Sequence, residues 1–212
     1  MWSKGDRLAS GLVNKDTKVV FRSATGMVVI FIQMSAEMWQ FDIHGDLYFE
    51  KAIDGFLLDL TRKWKNFGCN HDVTIVLFSR TIYEADSWEQ IPKEVQHCIQ
   101  RDQRGRFYED VYRVAIQNER LDDWTSTLRL LKTYFSEYTD SVVKKHKTVP
   151  HMPNAYNSNA AQGNFLQVLN LSMNVFEKHF TDRSFDRTGQ LSVVVTPGVG
   201  VFEVERELMN LT

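Results

Sequence analysis

The stretch with the clearest chemical character is Gln33-Met-Ser-Ala-Glu37, where side chains that carry oxygen recur at alternate positions. It closes an apolar run that begins at Met27 and is typical of a strand buried on both faces. In α/β sheets ligands bind outside the carboxyl ends of the strands, so the position suits a binding site. Oxygen atoms of these kinds are ligands of hard divalent cations, which makes metal binding the first chemistry to consider.

The equivalent turn of von Willebrand A-type domains reads Asp-x-Ser-x-Ser, and its oxygens hold a divalent cation. In this sequence Gln33 replaces the carboxylate, Ser35 is kept and Glu37 takes the last position. A neutral amide is a poor exchange for the charge that holds Mg²⁺. We therefore predict a degenerate, structural turn without metal, and Ser35 and Glu37 are the candidate ligands if a cation does bind.

Other catalytic patterns are absent from the sequence. It contains no glycine-rich phosphate loop, dinucleotide fingerprint, Gly-x-Ser-x-Gly elbow or His-Glu-x-x-His helix, and its six histidines show no zinc spacing. An arginine can act in trans on a GTPase, and Arg80, Arg183 and Arg187 lie at predicted strand edges or loops. Loop arginines usually pair with nearby acids, here Asp182 and Asp186. We predict no catalytic residue and no cofactor.

The composition is that of an ordinary soluble globular chain. Of 212 residues 43% are hydrophobic and 25% charged, and a net charge of −2 with mixed signs gives no field that recruits nucleic acid. Met1–Arg7 has no apolar segment of a secretory signal, and the longest apolar runs fall well short of the ~20 residues that span a bilayer. We expect a protein on the cytosolic side of membranes, with Cys69 and Cys98 as free thiols.

The elements that would position the turn form a βαβ unit over Met27–Ser79. Apolar residues in its middle recur at steps of three and four, which predicts an amphipathic helix with Asp46 as N-cap and Gly68 at the C-cap. Asp72–Ser79 is then a second buried strand, parallel to the first. The apolar stripe comprises Phe49, Ile53, Phe56, Leu57, Leu60, Trp64 and Phe67. The predicted fold is an α/β sheet, mixed and mostly parallel, Rossmann-like or von Willebrand A-like, flanked by helices.

The rest of the sequence predicts a polar lead-in over 1–17 and a single α/β domain over 18–212. Glu205–Thr212 begins a helix that is too short to be stable unless packed, so we expect a domain truncated at its C-terminus. The remaining predicted elements are a strand at Lys18–Arg22, an exposed loop at Glu84–Gly105 with a short helix around Lys93–Gln100, a strand at Phe107–Gln117, a helix from Trp124 to Lys147, a turn at Tyr156–Asn159, a helix at Ala160–Phe180 with Phe165, Leu169, Met173, Phe176 and Phe180 facing the core, and a buried strand at Leu191–Thr196.

Several long, unusual strings of residues resemble one protein family. They are Val20–Gly26, Met34–Asp42, Phe107–Val114, Ala160–Leu166, Asp182–Gln190 and Thr196–Val204. These strings look like the N-terminal region of the vacuolar membrane-associated Iml family, and the likeness runs over nearly the whole chain from about Val19. Strings of this length are far more specific than a three-residue motif.

The resemblance implies a regulatory role without catalysis. The family's complex, the first GATOR complex, stimulates GTP hydrolysis by Rag GTPases at lysosomal or vacuolar membranes. It thereby restrains TOR complex one when amino acids are scarce. The resemblance places the catalytic arginine on a nitrogen permease regulator-like subunit, and the region found here links the large subunit to those partners. Membrane association is then peripheral, through partners, on the cytosolic face.

The resemblance and the loop positions together lead to a hypothesis about contact surfaces. We expect a non-catalytic scaffold that contacts its partner subunits through polar loops and reaches Rag GTPases only within the assembled complex. A cation-dependent von Willebrand A-type ligand-binding module is the alternative. The residues predicted to bind partners are Glu37, Trp39, Asp42, Arg183, Asp186 and Arg187.

Overall fold

The computed structural model describes residues 2–3, 6–18, 25–174, 176, 189–198, 200–204 and 209. The strands in this part of the chain are β1 (Trp2–Ser3), β2 (Asp6–Arg7), β3 (Met27–Gln33), β4 (Asp72–Tyr83), β5 (Gln100–Arg101), β6 (Phe107–Glu119), β7 (Ala155–Asn157) and β8 (Gln190–Val195). Strands β1 and β2 form a separate hairpin within the predicted lead-in. The others form one sheet in the order β5-β6-β4-β3-β8, with β7 paired to β4.

The sheet is mixed, and the predicted α/β class is confirmed. Strand β3 is parallel to both β4 and β8, whereas β6 and β7 run antiparallel to β4. Strand β8 was predicted to be buried, but its residues are mostly half-exposed because none of the other described strands pairs with its outer edge. The predicted strand at Lys18–Arg22 and helix at Glu205–Thr212 lie outside the described residues, apart from Lys18 and Met209.

Helices cover both faces of this sheet. The helical elements of the described residues are α1 (Tyr48–Glu50), a π-helical segment (Lys51–Leu57), α2 (Leu58–Phe67), α3 (Thr125–Tyr138), a second π-helical segment (Thr139–Val143), α4 (Phe165–Asn174) and short 3₁₀ segments at Ala36–Trp39, Trp88–Gln90 and Gln96–Cys98. The helix predicted to reach Lys147 thus ends at Val143. Alternation along β3 divides the core between the two faces. Ile30 and Ile32 pack with Leu131 of α3 in the larger cluster, whereas Phe31 packs with Val168 of α4 in the smaller one.

The helical segments between β3 and β4 lie where the sequence predicts a helix and end as predicted, but Asp46, Phe56 and Phe67 differ from the prediction. Gly68 ends α2 in the left-handed conformation with φ +64°, so the predicted C-cap is confirmed. Asp46 is not the N-cap: Leu47 precedes the first helical residue, without a side-chain cap. Phe56 and Phe67 were predicted to face the core, but they are exposed. The π-helical segment explains Phe56, because its wider turns shift the phase of the apolar stripe.

Two corrections concern the chain before and within α4. The predicted turn at Tyr156–Asn159 begins within a strand instead, because Ala155–Asn157 form β7 and pair with the end of β4. The predicted helix starts at Phe165 instead of Ala160, and the residues that it buries are Val168 and Ser172. Of the predicted stripe, Phe165 packs against the smaller core cluster, Leu169 is half-buried, Met173 and Phe176 are exposed, and Phe180 lies outside the described residues. The late start of the helix coincides with hydrogen bonds that join residues 157–163 to Gln33, Met34 and Glu37.

The region predicted as an exposed loop, Glu84–Gly105, is irregular but not exposed throughout. Ile91, Val95 and Ile99 are buried and form a third apolar cluster with Phe107. This cluster covers the far end of the sheet, where β6 begins. The apolar residues are spread thinly among charged ones, which is why composition alone predicts exposure.

A half-buried histidine, His71, predicts a pH dependence of stability. His71 Nδ1 accepts a hydrogen bond from the Gly26 backbone nitrogen at 3.0 Å, and burial lowers the His71 pKa although the Asp72 carboxylate opposes the shift. The unfolded chain therefore takes up a proton at about pH 6.5, where the folded chain does not, so stability falls as the pH drops below that value. The loss is complete below the lowered pKa of the folded state. We expect urea unfolding at pH 7.5 and pH 5.5 to show this loss.

The matched control for this prediction is His71→Asn, which keeps a hydrogen-bond acceptor but does not titrate. The difference between the two chains in their pH dependence isolates His71 from the other histidines. Equal losses of stability in the wild type and the variant would contradict the assignment.

Candidate functional site

The end of β3 is the predicted site, and Gln33 there is fully buried. Its Nε2 atom donates to the Ala160 carbonyl oxygen at 3.0 Å, and its Oε1 atom accepts from the Thr196 hydroxyl at 2.5 Å. Close by, Asn157 Nδ2 donates to the Met34 carbonyl oxygen at 2.6 Å. An amide suits the position of Gln33 because one end must donate and the other accept, and an ionised carboxylate only accepts.

Glu37 holds the same stretch of chain, residues 157–163, which we call the clasp segment. Both oxygens of the Glu37 carboxylate lie 2.9 Å from the Ala160 backbone nitrogen, which donates to them. Gly163 approaches so closely that a Cβ atom there would lie 2.6 Å from Gln33 Nε2. The clasp segment therefore closes the edge of the sheet at which an A-type domain binds its cation.

The oxygens at this turn do not suit a hard divalent cation. Gln33 and Glu37 use theirs in hydrogen bonds to Thr196 and to the clasp segment. Ser35 is buried, and its hydroxyl has no hydrogen-bond partner among the described residues. One hydroxyl is far from the set of about six oxygens that Mg²⁺ or Ca²⁺ requires. The described part of the chain contains no group of three His, Cys, Asp or Glu side chains that would hold a metal ion.

Trp39 and Asp42, two residues predicted to bind partners, make contacts within their own chain. The Trp39 ring is half-buried and stacks on Phe135 with the ring centroids 4.7 Å apart. Asp42 accepts hydrogen bonds from two backbone amides of its own loop, at 2.8 Å and 2.9 Å, and pairs with Lys51. The hydrogen bond from Lys51 lowers the pKa of Asp42 to about 2. Both side chains thus order the loop that leaves β3.

Of the three arginines considered for a role in trans on a GTPase, Arg80 lies within the described residues and Arg183 and Arg187 do not. Arg80 is not at an exposed edge: it is buried on β4 and forms two hydrogen bonds with Asp110, at 2.7 Å and 2.9 Å. Its pairing leaves it unsuited to enter a GTPase site. Arg183, Asp186 and Arg187 lie outside the described residues, so their predicted role in partner binding stays a prediction.

A buried acidic centre was missed at the sequence level. Glu109 on β6 accepts from the Tyr83 hydroxyl at 2.9 Å, pairs with Lys145 at 2.5 Å and lies 3.2 Å from His146 Nε2. Burial, with the nearby Glu109 carboxylate, raises the pKa of Tyr83 far above its usual value. The centre fastens the turn after α3 to the sheet. No spacing rule links these residues, because they come from three separate elements.

The chain matches one protein family over most of its length. The family model, described as "Vacuolar membrane-associated protein Iml1, vWA-like domain", matches residues 25–212. The chain belongs to this family. The resemblance predicted from the sequence strings is therefore confirmed.

Relatives of this Iml1-family chain are much longer proteins. It is 61% identical to "GATOR complex protein Iml1" of Drosophila melanogaster, over 100% of this chain and 14% of that protein. It is 44% identical to a DEP domain-containing protein of Dictyostelium discoideum, over 100% of the chain and 9% of that protein. It is 34% identical to "Vacuolar membrane-associated protein iml1" of Schizosaccharomyces pombe, over 100% of the chain and 16% of that protein. The chain thus spans 9–16% of the length of these relatives.

Proposed function

We propose that this chain is a non-catalytic scaffold module of a GATOR complex subunit, and that it docks the nitrogen permease regulator-like subunits. Through them it positions an activator of Rag GTPases that restrains TOR complex one when amino acids are scarce. The catalytic arginine is supplied by another subunit. The name of the Drosophila relative supports the coarser part of the proposal, which is membership of a GATOR complex.

The observation that most favours a scaffold is the closed edge of β3. Gln33 and Glu37 both bind Ala160 of the clasp segment, so the chain's own backbone occupies the place where an A-type module exchanges ligands. Elsewhere Arg80 on β4 forms an ion pair with Asp110, and both side chains are largely buried. Removing one partner of such a pair is strongly destabilising, which is consistent with a structural role.

We also propose peripheral association with the cytosolic face of the vacuolar or lysosomal membrane, through partner subunits. The name of the Schizosaccharomyces relative, a vacuolar membrane-associated protein, supports this location. Among the described residues, no helix combines the length and the apolar character that crossing a bilayer demands.

Co-expression with the two nitrogen permease regulator-like subunits tests the proposal. We expect affinity capture of the chain to retain at least one subunit, and size-exclusion chromatography to show co-elution in a fixed ratio. The two subunits passed over the same resin without the chain are the control. A monodisperse chain that retains neither subunit would overturn the scaffold function for this module.

A cation-dependent A-type ligand-binding module is the second candidate. One observation favours it, which is the buried Ser35 hydroxyl without a hydrogen-bond partner among the described residues. A bound cation would stabilise the folded chain by an amount that rises with the logarithm of its concentration above the dissociation constant, so thermal unfolding in Mg²⁺ or Mn²⁺ separates the two candidates.

A further inference from the structure

The loop that leaves β3, Gln40–Leu47, displays two apolar side chains to solvent. Phe41 is 69% exposed and Ile43 is 94% exposed. Single exposed apolar residues are common on soluble proteins, but two on one short loop form a distinct apolar tip. Aromatic residues in particular are enriched among the residues that dominate the binding energy of protein interfaces.

The loop is held in one conformation by hydrogen bonds centred on Asp42. Its carboxylate accepts from the backbone nitrogens of His44 at 2.8 Å and Asp46 at 2.9 Å, and it pairs with Lys51. Its backbone nitrogen donates to the Asp46 carbonyl oxygen at 2.9 Å, and its own carbonyl accepts from Gly45 at 3.2 Å. Gly45 has φ +87°, a conformation that favours glycine. The apolar tip therefore stands on a defined turn.

Both ends of the loop are fastened to the core by aromatic stacking. Trp39 precedes the loop and Phe49 follows it, and both rings stack on Phe135 of α3, with centroid distances of 4.7 Å and 4.0 Å. Phe41 and Leu47 also form an antiparallel bridge across the base. A loop that is ordered before binding loses less conformational entropy when a partner docks.

We propose that the Gln40–Leu47 loop is a docking element of the scaffold, and that Phe41 and Ile43 insert into an apolar pocket of a protein partner. Basic side chains of the partner border that pocket. The proposal rests on the scaffold function above and deepens it by naming the surface. It also changes the expected role of Asp42, which positions the tip and does not itself contact the partner.

The charges around the tip favour a protein with a basic rim over a lipid surface. Asp46 and Glu50 are exposed beside the tip, while the nearby cation, Lys51, is paired with Asp42. The cytosolic leaflet is negatively charged and attracts basic segments, so two exposed acids disfavour insertion of Phe41 into it. The same acids complement lysine and arginine side chains on a protein.

The test uses the captured complex with the nitrogen permease regulator-like subunits and the double variant Phe41→Ser, Ile43→Ser. The matched control is Phe67→Ser, Leu12→Ser, because those residues are 80% and 92% exposed in other parts of the fold. We expect the loop variant to raise the dissociation constant for the subunits by about 100-fold or more. The control variant should raise it by less than about threefold. Thermal unfolding of both variants should match the wild type, since none of the four side chains is buried.

Each outcome decides between named alternatives. A wild-type chain that binds neither subunit overturns the scaffold function and this proposal with it. A wild-type chain that binds, with a loop variant that binds equally well, overturns the docking loop alone. Flotation with phosphatidylcholine–phosphatidylserine vesicles tests the other surface: binding that depends on Phe41 and Ile43 would overturn the protein pocket in favour of a membrane.

Discussion

Replacing Asp110 with alanine is expected to lower the free energy of unfolding by about 3–5 kcal/mol, because it breaks a buried ion pair. The side chains of Arg80 and Asp110 are only 8% and 14% exposed, and the guanidinium also lies 3.9 Å from the centroid of the Tyr108 ring. Without the carboxylate, a buried positive charge loses its counter-ion but remains out of contact with bulk water. Urea unfolding, read from the midpoint at an unchanged slope, measures the loss.

The control for this variant is Asp140→Ala. Asp140 pairs with Lys144 one helical turn away, at 3.0 Å, but its side chain is 82% exposed. Such surface pairs contribute at most about 1 kcal/mol, so the control variant should unfold close to the wild type. Equal, small losses in the two variants would show that the Arg80 pair is not buried in solution.

A double variant tests the cause of the loss. Arg80→Met with Asp110→Leu removes both charges and keeps apolar volume, which is often neutral or even stabilising for a buried pair. We expect it to recover most of the stability lost by Asp110→Ala alone. A double variant as unstable as the single one would place the loss in packing instead of charge.

The centre of the fold follows from local patterns in the sequence. Strands β3 and β4 are long apolar runs, and the helix between them forces a parallel pairing that registers Val28 with Val73. Gly68 marks the end of that helix because few other residues tolerate its positive φ. These features depend on residues close together in the chain, and pattern reasoning therefore finds them.

Features that depend on distant contacts were missed. The exposure of Phe56 follows from the π-helical segment Lys51–Leu57, which the local sequence pattern does not predict. The clasp segment is 127 residues from Gln33 in the chain, and its sequence indicates only a turn followed by helix. Sequence reasoning therefore placed a candidate site at the end of β3 and interpreted it as structural, but it gave no means to identify Ala160 as the partner.

The Gln40–Leu47 loop is another feature whose role the sequence alone did not reveal. Trp39 and Asp42 were selected because they lie on the predicted polar loop after β3, yet their contacts order the loop itself. Phe41 and Ile43 have the ordinary sequence appearance of core residues. Only their exposure, which depends on how the turn around Asp42 is built, distinguishes them.

Restoring the A-type carboxylate with Gln33→Asp is expected to destabilise the chain by more than about 3 kcal/mol at neutral pH. The new carboxylate would be fully buried and would face the Ala160 carbonyl oxygen, which now accepts a hydrogen bond from Gln33. Two acceptors then meet without a proton between them. Thermal or urea unfolding of the variant measures the loss.

The control is Gln33→Met, which removes the same hydrogen bonds without adding charge. Its expected loss is about 1–3 kcal/mol, for an unsatisfied Ala160 carbonyl and Thr196 hydroxyl. The excess loss in Gln33→Asp over Gln33→Met measures the buried charge together with the smaller volume of the aspartate side chain. If the two variants are equally stable, the carboxylate has found water or a proton, and the end of β3 is more open than the structure shows.

The effect of divalent cations on stability tests whether the end of β3 is a structural turn or a cation site. We expect millimolar Mg²⁺ or Mn²⁺ to leave the unfolding temperature of the wild type, Gln33→Asp and Gln33→Met unchanged, because Glu37 stays bound to the Ala160 amide and Gly163 closes the space beside residue 33. A bound cation at 100 times its dissociation constant would add about 2.7 kcal/mol. A rise in unfolding temperature confined to Gln33→Asp would mean that the clasp segment moves aside when a cation binds. A single side chain, residue 33, would then decide whether the end of β3 binds a cation. A gain in the wild type would instead favour the cation-dependent module, since Ser35 and Glu37 would then be ligands despite the amide.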